Sequence, residues 1–440
     1  MQWYGSKEKK CRYIYGIWKY NWTNKNHKKY KIAAFDLDDT IIKFKRGHYG
    51  NNGNNDIELI HPNILSKLNN LFENNYIITI FTNQSGYGNN PKFNKKIWRS
   101  KVKKLFSYIV TTLNLNSFNI QIYVAIDYDI YRKPNIGLWY LFLLKNEFDL
   151  TGANINKGNM CNNNHLINTD MITKFIKYSD SFYCGDSAGR YGSSTFRKEK
   201  KKDFSDVDYK FSINIGLKFL TPEEFILDEL PVERNIWSFD PINFLEKYKH
   251  NSLLKNFKFQ SVKNGELEII IMMGYPASGK NTFINNYLPN YIEISRDICG
   301  SQSKCLKLFE TNLKKGKCIV VNNTNPDIKS RESYINIVNK YNNANNAPDR
   351  IYNIRCCWMQ TSLEIAKHLN NVRHILSFCS HNNNQIEEKI SDIVYNIYKK
   401  KFQEPTVDEG YTEIIKVPFM LDDTLLNDEY WLKLFKFYSE

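Results

Sequence analysis

The decapeptide Lys31–Thr40, KIAAFDLDDT, decides how this chain is read. Ile32–Phe35 is short and wholly apolar, as expected for a strand buried on both faces of a parallel sheet. It ends on Asp36, Leu37, Asp38, Asp39 and Thr40. Carboxylates at i and i+2 beyond the carboxyl end of such a strand lie where open α/β sheets keep their ligands. There Asp36 can be a nucleophile, and Asp38 a general acid kept protonated by its ionised neighbour. Taken alone, the same residues also suit an Asp-rich turn that satisfies backbone amides.

Outward from this stretch, apolar strands recur and each ends on polar residues. His61-Pro62 opens a helix running through Leu71, and Tyr76–Phe81 is a strand ending in Thr82. A long amphipathic helix follows over about 93–113, and strand Ile120–Ile126 leads to Tyr131-Arg132-Lys133-Pro134. Ser181–Cys184 is a fourth strand, ending in Gly185-Asp186, and Thr221-Pro222-Glu223-Glu224 is a capping box. Strands alternating with helices predict a parallel, doubly wound α/β sheet.

Residues 1–30 are too short for a domain and are expected to pack against the first one or fray. Gly47–Asn55 reads as a polar loop, and residues 151–170 as an Asn- and Gly-rich insertion. The first domain is placed at 31–227 and a linker at 228–262, which has Pro231, Pro241 and a lysine-rich stretch with no clear period. The second domain, 263–440, is again α/β and doubly wound, opening with the apolar strand Leu267–Met273 and adding strands at Cys318–Val321 and Ile351–Trp358. The later segment Leu421–Thr424 repeats LDDT, but Met420 stands where Asp36 would be, so the copy has no nucleophile.

Asp36 and Asp38, Thr82, Lys133 and Asp186 each occupy the carboxyl end of an expected strand, where side chains converge on one crevice. The set suits phosphoryl transfer through an aspartyl-phosphate. Asp36 attacks phosphorus, and Asp38 protonates the leaving oxygen and later takes a proton from water. Thr82 and Lys133 hold the phosphoryl oxygens. Mg²⁺ would sit between Asp36, the carbonyl of Asp38 and Asp186, neutralising carboxylates that would otherwise repel a phosphate.

A second set begins at Gly274. Gly274-Tyr275-Pro276-Ala277-Ser278-Gly279-Lys280, followed by Asn281-Thr282, runs from strand into helix and approximates a P-loop. Its glycines let backbone N–H groups cradle phosphates, and Lys280 reaches the β and γ phosphates of a nucleotide such as ATP.

Composition sets wider bounds. With 42% apolar and 15% aromatic residues, the 440-residue chain can bury two cores and is not mainly disordered. A formal charge of +15 suggests an acidic partner such as nucleic acid, although a chain rich in Asn, Ile, Tyr and Lys also reflects A/T-biased coding. Nine cysteines without CxxC spacing indicate neither a zinc site nor a disulfide framework. There is no signal-peptide pattern and no apolar run of transmembrane length, so a soluble intracellular protein is expected. Lys198–Lys202, KEKKK, reads as a solvated loop or a nuclear import signal.

The first set resembles the haloacid dehalogenase superfamily. FTNQSGYG (81–88), YRKPNIGLW (131–139), YCGDSAGR (183–190), KKKDFSDVD (200–208) and FLTPEEF (219–225) are similar to the polynucleotide kinase 3′-phosphatase family, from about residue 30 almost to the C-terminus. The resemblance implies nucleophile, acid, phosphate ligands and metal aspartate at Asp36, Asp38, Thr82, Lys133 and Asp186. A further acid near the lysine falls on Asp208, with Asp203 the second choice, and Asp39 stands where relatives often have Gly.

In the second domain SRDICGS (295–301) implies a catalytic base at Asp297, and Leu363–Arg373 a lid helix whose retained arginine is Arg373. VNNTNPDIKSR (321–331) and KFQEPTVDEGYTEIIKVPF (401–419) continue the similarity. Three positions depart from the family. Asn281 replaces the hydroxyl that usually ligates Mg²⁺, Asn322 a metal-supporting Asp, and Asn371 a lid Arg. Thr282 cannot simply replace the hydroxyl, because one residue turns a helix by about 100°.

The resemblance implies a bifunctional enzyme acting on DNA with 3′-phosphate and 5′-hydroxyl termini, using Mg²⁺ and ATP, in strand-break repair. It implies a nuclear location, with a mitochondrion or other organelle the alternative. Thirty residues leave no room for the upstream forkhead-associated domain of some relatives, so contacts with repair proteins are not expected to run through one. Two other readings compete: a 3′-phosphatase alone with a degenerate P-loop domain that binds nucleotide or DNA, and a small-molecule phosphatase.

Overall fold

The computed structural model describes residues 1–5, 12–23, 29–44, 57–86, 94–146, 175–192, 202–236, 239–250, 257–260, 266–344, 351–379 and 388–439. The expected loop at 47–55, the insertion at 151–170 and most of the KEKKK run lie outside them. The chain is α/β and divides into two compact units. The first takes Met1–Asp240 with the short stretches Phe378–Asn382 and Lys436–Glu440; the second takes Pro241–Ser377 and Asn383–Phe435.

In the first unit the strands are β1 (Gln2–Gly5), β2 (Tyr13–Tyr20), β3 (Ile32–Phe35), β4 (Ile42–Phe44), β5 (Ile57–Leu59), β6 (Ile77–Asn83), β7 (Phe118–Ala125), β8 (Phe182–Cys184) and β9 (Lys218–Leu220). Seven form one sheet, in the order β1-β2-β7-β6-β3-β8-β9, while β4 and β5 pair antiparallel as a separate ribbon. From β7 to β9 the sheet is parallel. β3 lies inside it and is buried throughout, which is why its sequence is a continuous apolar run. Each such Ile or Phe contributes about 1.5–3 kcal/mol on burial. Helix Lys95–Thr112 lays Trp98, Val102, Phe106 and Ile109 into the core around Ile80, Ile120 and Ile122. The capping box at Thr221 forms, with Thr221 Oγ1 accepting from the Glu224 N–H and Glu224 Oε2 from the Thr221 N–H.

Two stretches are more ordered than expected. Within residues 1–30, β1 and β2 join the sheet, with β2 pairing antiparallel to β7 over eight positions from Tyr13↔Ala125 to Tyr20↔Phe118. Ile14 and Gly16 turn inward and their neighbours outward, the period of two that a half-covered strand adopts. Within the expected linker, Pro241 does not interrupt structure. It opens helix Pro241–His250, where a missing N–H costs nothing in the first turn.

The helix Val207–Ile215 is held at its far end by the last residues of the chain. Asn214 Nδ2 donates to the Tyr438 carbonyl (2.9 Å) and Asn214 Oδ1 accepts from the Tyr438 N–H (2.8 Å). Lys210 Nζ, itself buried, donates to the Ser439 carbonyl (2.9 Å) and pairs with Asp206 (3.0 Å).

The second unit has a five-stranded parallel sheet of β10 (Leu267–Met273), β11 (Ile292–Ile294), β12 (Ile319–Val321), β13 (Tyr352–Met359) and β14 (Glu413–Val417), ordered β11-β12-β10-β13-β14. Central β10 has Ile269–Met273 fully buried between two apolar layers. Helices Lys280–Tyr287, Gln302–Lys314, Ile328–Ala344 and Leu363–Cys379 follow the strands. Among the described residues no helix is long and apolar enough to cross a membrane.

Candidate active sites

In the first unit the carboxyl ends of β3, β6 and β8, with the loop after β7, meet at one charged centre. Asp36 follows β3 directly, and its N–H donates to the Cys184 carbonyl at the end of β8 (2.8 Å), fixing the two strand ends together. Lys133 Nζ donates to Asp36 Oδ1 (2.6 Å), to Asp208 Oδ1 (2.7 Å) and to the Tyr183 hydroxyl (2.9 Å). All four side chains are buried. The backbone of Lys133 is pinned by Asn83: Oδ1 accepts from the Lys133 N–H (2.9 Å), and Nδ2 donates to the Lys133 carbonyl (3.1 Å). Every donor of the ammonium therefore has an oxygen, which is the condition for burying a lysine charge.

Gln84 links the remaining two residues. Its Nε2 donates to Asp38 Oδ2 (2.6 Å) and Thr82 Oγ1 (3.0 Å). Asp186 completes the crevice. One carboxylate oxygen each from Asp36, Asp186 and Asp208 lies within 4.8 Å of the others. Three carboxylates face one ammonium, an excess of negative charge and of hard oxygen donors that suits a divalent cation such as Mg²⁺. The Asp38 carboxylate is turned to Gln84 rather than to this cluster.

Environment separates the acids. Burial pushes Asp38 up to about 6, against the opposing hydrogen bond from Gln84. Burial raises Asp36 further, to about 8; Lys133 opposes this, while Asp208 and Asp38 add to it. For Lys133 burial works downward, but Asp208 and Asp36 prevail and hold it above the usual lysine range.

The structure decides between the two acids near the lysine. Asp208 accepts from Lys133, from the Tyr183 hydroxyl (2.8 Å) and from the Ser187 N–H (3.1 Å). Asp203 instead pairs with Arg190 Nε (2.9 Å). Arg190 in turn donates to Glu223 (2.8 Å) and to the Asp186 carbonyl (3.0 Å), so this network holds the Asp186 loop in place. Asp39 has φ +52°, in the left-handed region, where glycine is favoured and a short polar side chain is accepted. Sequence reading missed Tyr183, the bridging role of Gln84, and Gly185, where a Cβ would come within 2.5 Å of Asp208 Cγ. The signal for Gln84 was its polar side chain two residues past Thr82; Gly185 shows no such signal outside three dimensions.

In the second unit the turn after β10 has the backbone of a phosphate cradle. Gly274, Ala277 and Gly279 have φ of +153°, +56° and +94°, and Gly279 immediately precedes helix Lys280–Tyr287. Any side chain at Gly274 would meet Met359 Cβ at 2.8 Å and Ser278 Oγ at 2.9 Å. Lys280 Nζ donates to the carbonyls of Tyr275 (2.7 Å) and Gly274 (3.2 Å). Burial lowers Lys280 to about 7, with Asp297 opposing and Arg373 reinforcing. A lysine so placed gains its charge fully when an anion arrives.

Lys280, Asn281, Asp297, Asn322 and Arg373 all line one cleft of about 490 Å³. Asp297 rides on a one-turn helix whose N-cap, Ser295, accepts from the Ile298 N–H (3.2 Å), and whose Arg296 N–H donates to Asn323 Oδ1 (3.0 Å). Asn322 Nδ2 donates to Asn281 Oδ1 (2.9 Å) and to Glu293 Oε1 (2.7 Å). Asn281 thus brings an amide oxygen where a hydroxyl was expected, a donor type that Mg²⁺ accepts. Thr282 lines a different cavity of about 470 Å³, with Ser278 and Gly279, as the 100° turn between neighbouring helical residues requires. Asn371 is buried within helix Leu363–Cys379.

Residues 31–226 match the family described as polynucleotide kinase 3 phosphatase. The bifunctional polynucleotide phosphatase/kinase of Schizosaccharomyces pombe is 34% identical over 391 residues, covering 88% of this chain and 80% of the relative. A protein of Acanthamoeba polyphaga mimivirus, provisionally given the same name, is 40% identical over 431 residues, covering 94% of this chain and 91% of the relative. The polynucleotide 3′-phosphatase of Saccharomyces cerevisiae is 28% identical over 225 residues, covering 44% of this chain and 86% of the relative. With similarity spanning both the Asp36 crevice and the Lys280 cleft, the chain belongs to the bifunctional polynucleotide phosphatase/kinase family.

Proposed function

We propose that the protein removes phosphate from the 3′-phosphorylated ends of DNA and transfers the γ-phosphoryl group of ATP to 5′-hydroxyl ends, making strand breaks fit for ligation in DNA repair. The observation that carries the phosphatase reading is Lys133 Nζ, held between Asp36 and Asp208 at 2.6 and 2.7 Å. That arrangement keeps one carboxylate fixed as nucleophile beside a buried positive charge.

Asp36 attacks the phosphorus of the 3′-phosphate, forming an aspartyl-phosphate as the bond between phosphorus and the 3′ oxygen breaks. Asp38, raised to about 6 and so still partly protonated near neutrality, gives its proton to the departing 3′ oxygen. The resulting carboxylate then takes a proton from water, whose oxygen attacks phosphorus, freeing Asp36 and inorganic phosphate. Thr82 and Lys133 hold the phosphoryl oxygens through both steps. In the second unit Asp297 takes the proton of a 5′-hydroxyl as its oxygen attacks the γ phosphorus, and ADP leaves. Lys280 and Arg373 offset the charge that develops on the phosphoryl group. Mg²⁺, held by Asp36 and Asp186 in one site and by the Asn281 arm of the other, would supply further neutralisation of phosphate charge. The proposed site of action is the nucleus, with a mitochondrion or other organelle the alternative, since DNA ends arise in each.

The test uses one oligonucleotide bearing a 3′-phosphate and a 5′-hydroxyl, with γ-labelled ATP and Mg²⁺. Asp36→Asn is expected to abolish phosphate release while label transfer continues, and Asp297→Asn to do the reverse. Phosphate release by Asp36→Asn at the wild-type rate would overturn the nucleophile, and absence of label transfer by the wild type would overturn the kinase.

A further inference from the structure

In the P-loop cleft Asn322 lies against Asn281. Asn322 follows β12, the strand beside β10, and carries no charge. A carboxylate is nevertheless present on the next strand out. Glu293, in the middle of β11, pairs with Val320 of β12. Asn322 lies two residues beyond Val320 and so projects from the same face of the sheet. The Asn322 N–H donates to the Ile294 carbonyl (2.8 Å), tying the two strands at that level.

We propose that Glu293 is a positioning residue for the P-loop cleft. It holds the Asn322 amide, through it Asn281, and supplies the negative charge that magnesium-bound nucleotide needs at the P-loop. The inference rests on the kinase reading above. Three observations carry it. Asn322 Nδ2 donates both to Glu293 Oε1 (2.7 Å) and to Asn281 Oδ1 (2.9 Å), so both of its N–H groups are committed to oxygen acceptors. A carboxylate accepts and never donates, which allows one orientation of the Asn322 amide. That orientation directs an N–H, rather than a second carbonyl oxygen, at Asn281. Asn322 is buried, so the chain of contacts acts at low dielectric. Finally, Glu293 is half-buried and, among the described residues, no lysine or arginine forms an ion pair with it. Its charge is left to act on the cleft. The acid stands one strand outward from Asn322, and the two asparagines connect it to the cleft.

The experiment measures binding of the non-hydrolysable ATP analogue adenylyl imidodiphosphate to the full chain by calorimetry, with and without Mg²⁺. Glu293→Gln keeps the shape and loses the charge. It is expected to weaken binding of the magnesium-bound analogue about tenfold, the usual scale for groups behind a metal ligand. Metal-free binding and 3′-phosphatase turnover should stay at wild type. The double variant Glu293→Gln with Asn322→Asp moves the carboxylate to the neighbouring strand and is expected to recover the magnesium effect. Wild-type magnesium dependence in Glu293→Gln, an equal loss of metal-free binding, or a double variant as weak as the single one would each overturn the assignment. A wild-type protein whose binding ignores magnesium would instead defeat the kinase reading, and this inference with it.

Discussion

Around Asp36, water is nearly excluded from a volume that holds several carboxylates and one ammonium, and small displacements there are costly. Gly185 is the residue that makes room. Its missing Cβ would lie 2.5 Å from Asp208 Cγ, so Gly185→Ala must push Asp208 off Lys133. Phosphatase turnover should fall by about 10²-fold, the scale of an ångström-sized misplacement. Steady-state release of phosphate from a 3′-phosphorylated oligonucleotide checks this; an unchanged rate would mean that Asp208 is not needed where it stands. Lys280 offers a test in pH. Burial lowers it to about 7, and a bound polyphosphate must raise it again. Above pH 7 nucleotide binding should therefore take up a proton, and affinity should weaken as pH rises. Calorimetry at pH 8 in buffers of different ionisation enthalpy should show uptake approaching about one proton. No uptake would place the nucleotide away from Lys280. Asp36, Asp38, Thr82, Lys133 and Asp186 were legible in sequence because strand ends impose an order on them. Glu293 was not, because its meaning comes from a hydrogen bond across strands rather than from a motif.

Elements were legible where burial is two-sided. β3, β6, β8 and β10 announce themselves as apolar runs between polar ends, and the helix at 95–112 through its spacing. β1 and β2 were not foreseen as strands because tyrosines and lysines on their outward positions hide a period of two, so residues 1–30 were expected only to pack against the first domain or fray. The same pairing yields a prediction. β2 covers β7 over eight positions, and β7 is buried along its whole length. Deleting residues 1–20 would leave the N–H and C=O groups that β7 directs at β2 unpaired at a sheet edge. The shortened chain should lose solubility, and light scattering during expression and refolding checks it. A soluble monomer of native stability would show that β2 is dispensable. Helix Pro241–His250 was obscured for a different reason, since proline signals a break within a helix and a start at its first turn.

For the molecule as a whole, a net charge of +15 sets how it meets a polyanion. If DNA is the substrate, counterion release should make the KM for oligonucleotide rise by at least about tenfold between roughly 50 and 200 mM salt. Turnover at saturation should change little; a flat KM would argue that the charge is compositional and plays no part in binding. The division into two units was legible from a second strand-and-loop opening at β10; that Lys436–Glu440 groups with the first unit was not, because chain order and unit membership part company there. Tyr438 and Ser439 belong with the first unit, bonded to Asn214 and Lys210. Translation therefore imposes a delay. At about 5–20 residues per second, the ribosome must make the entire second unit before the strap that closes the first one exists. During that interval Lys210 and Asn214 lack partners that the finished protein gives them, and a message truncated just before Tyr438 would leave a nascent phosphatase permanently unlatched.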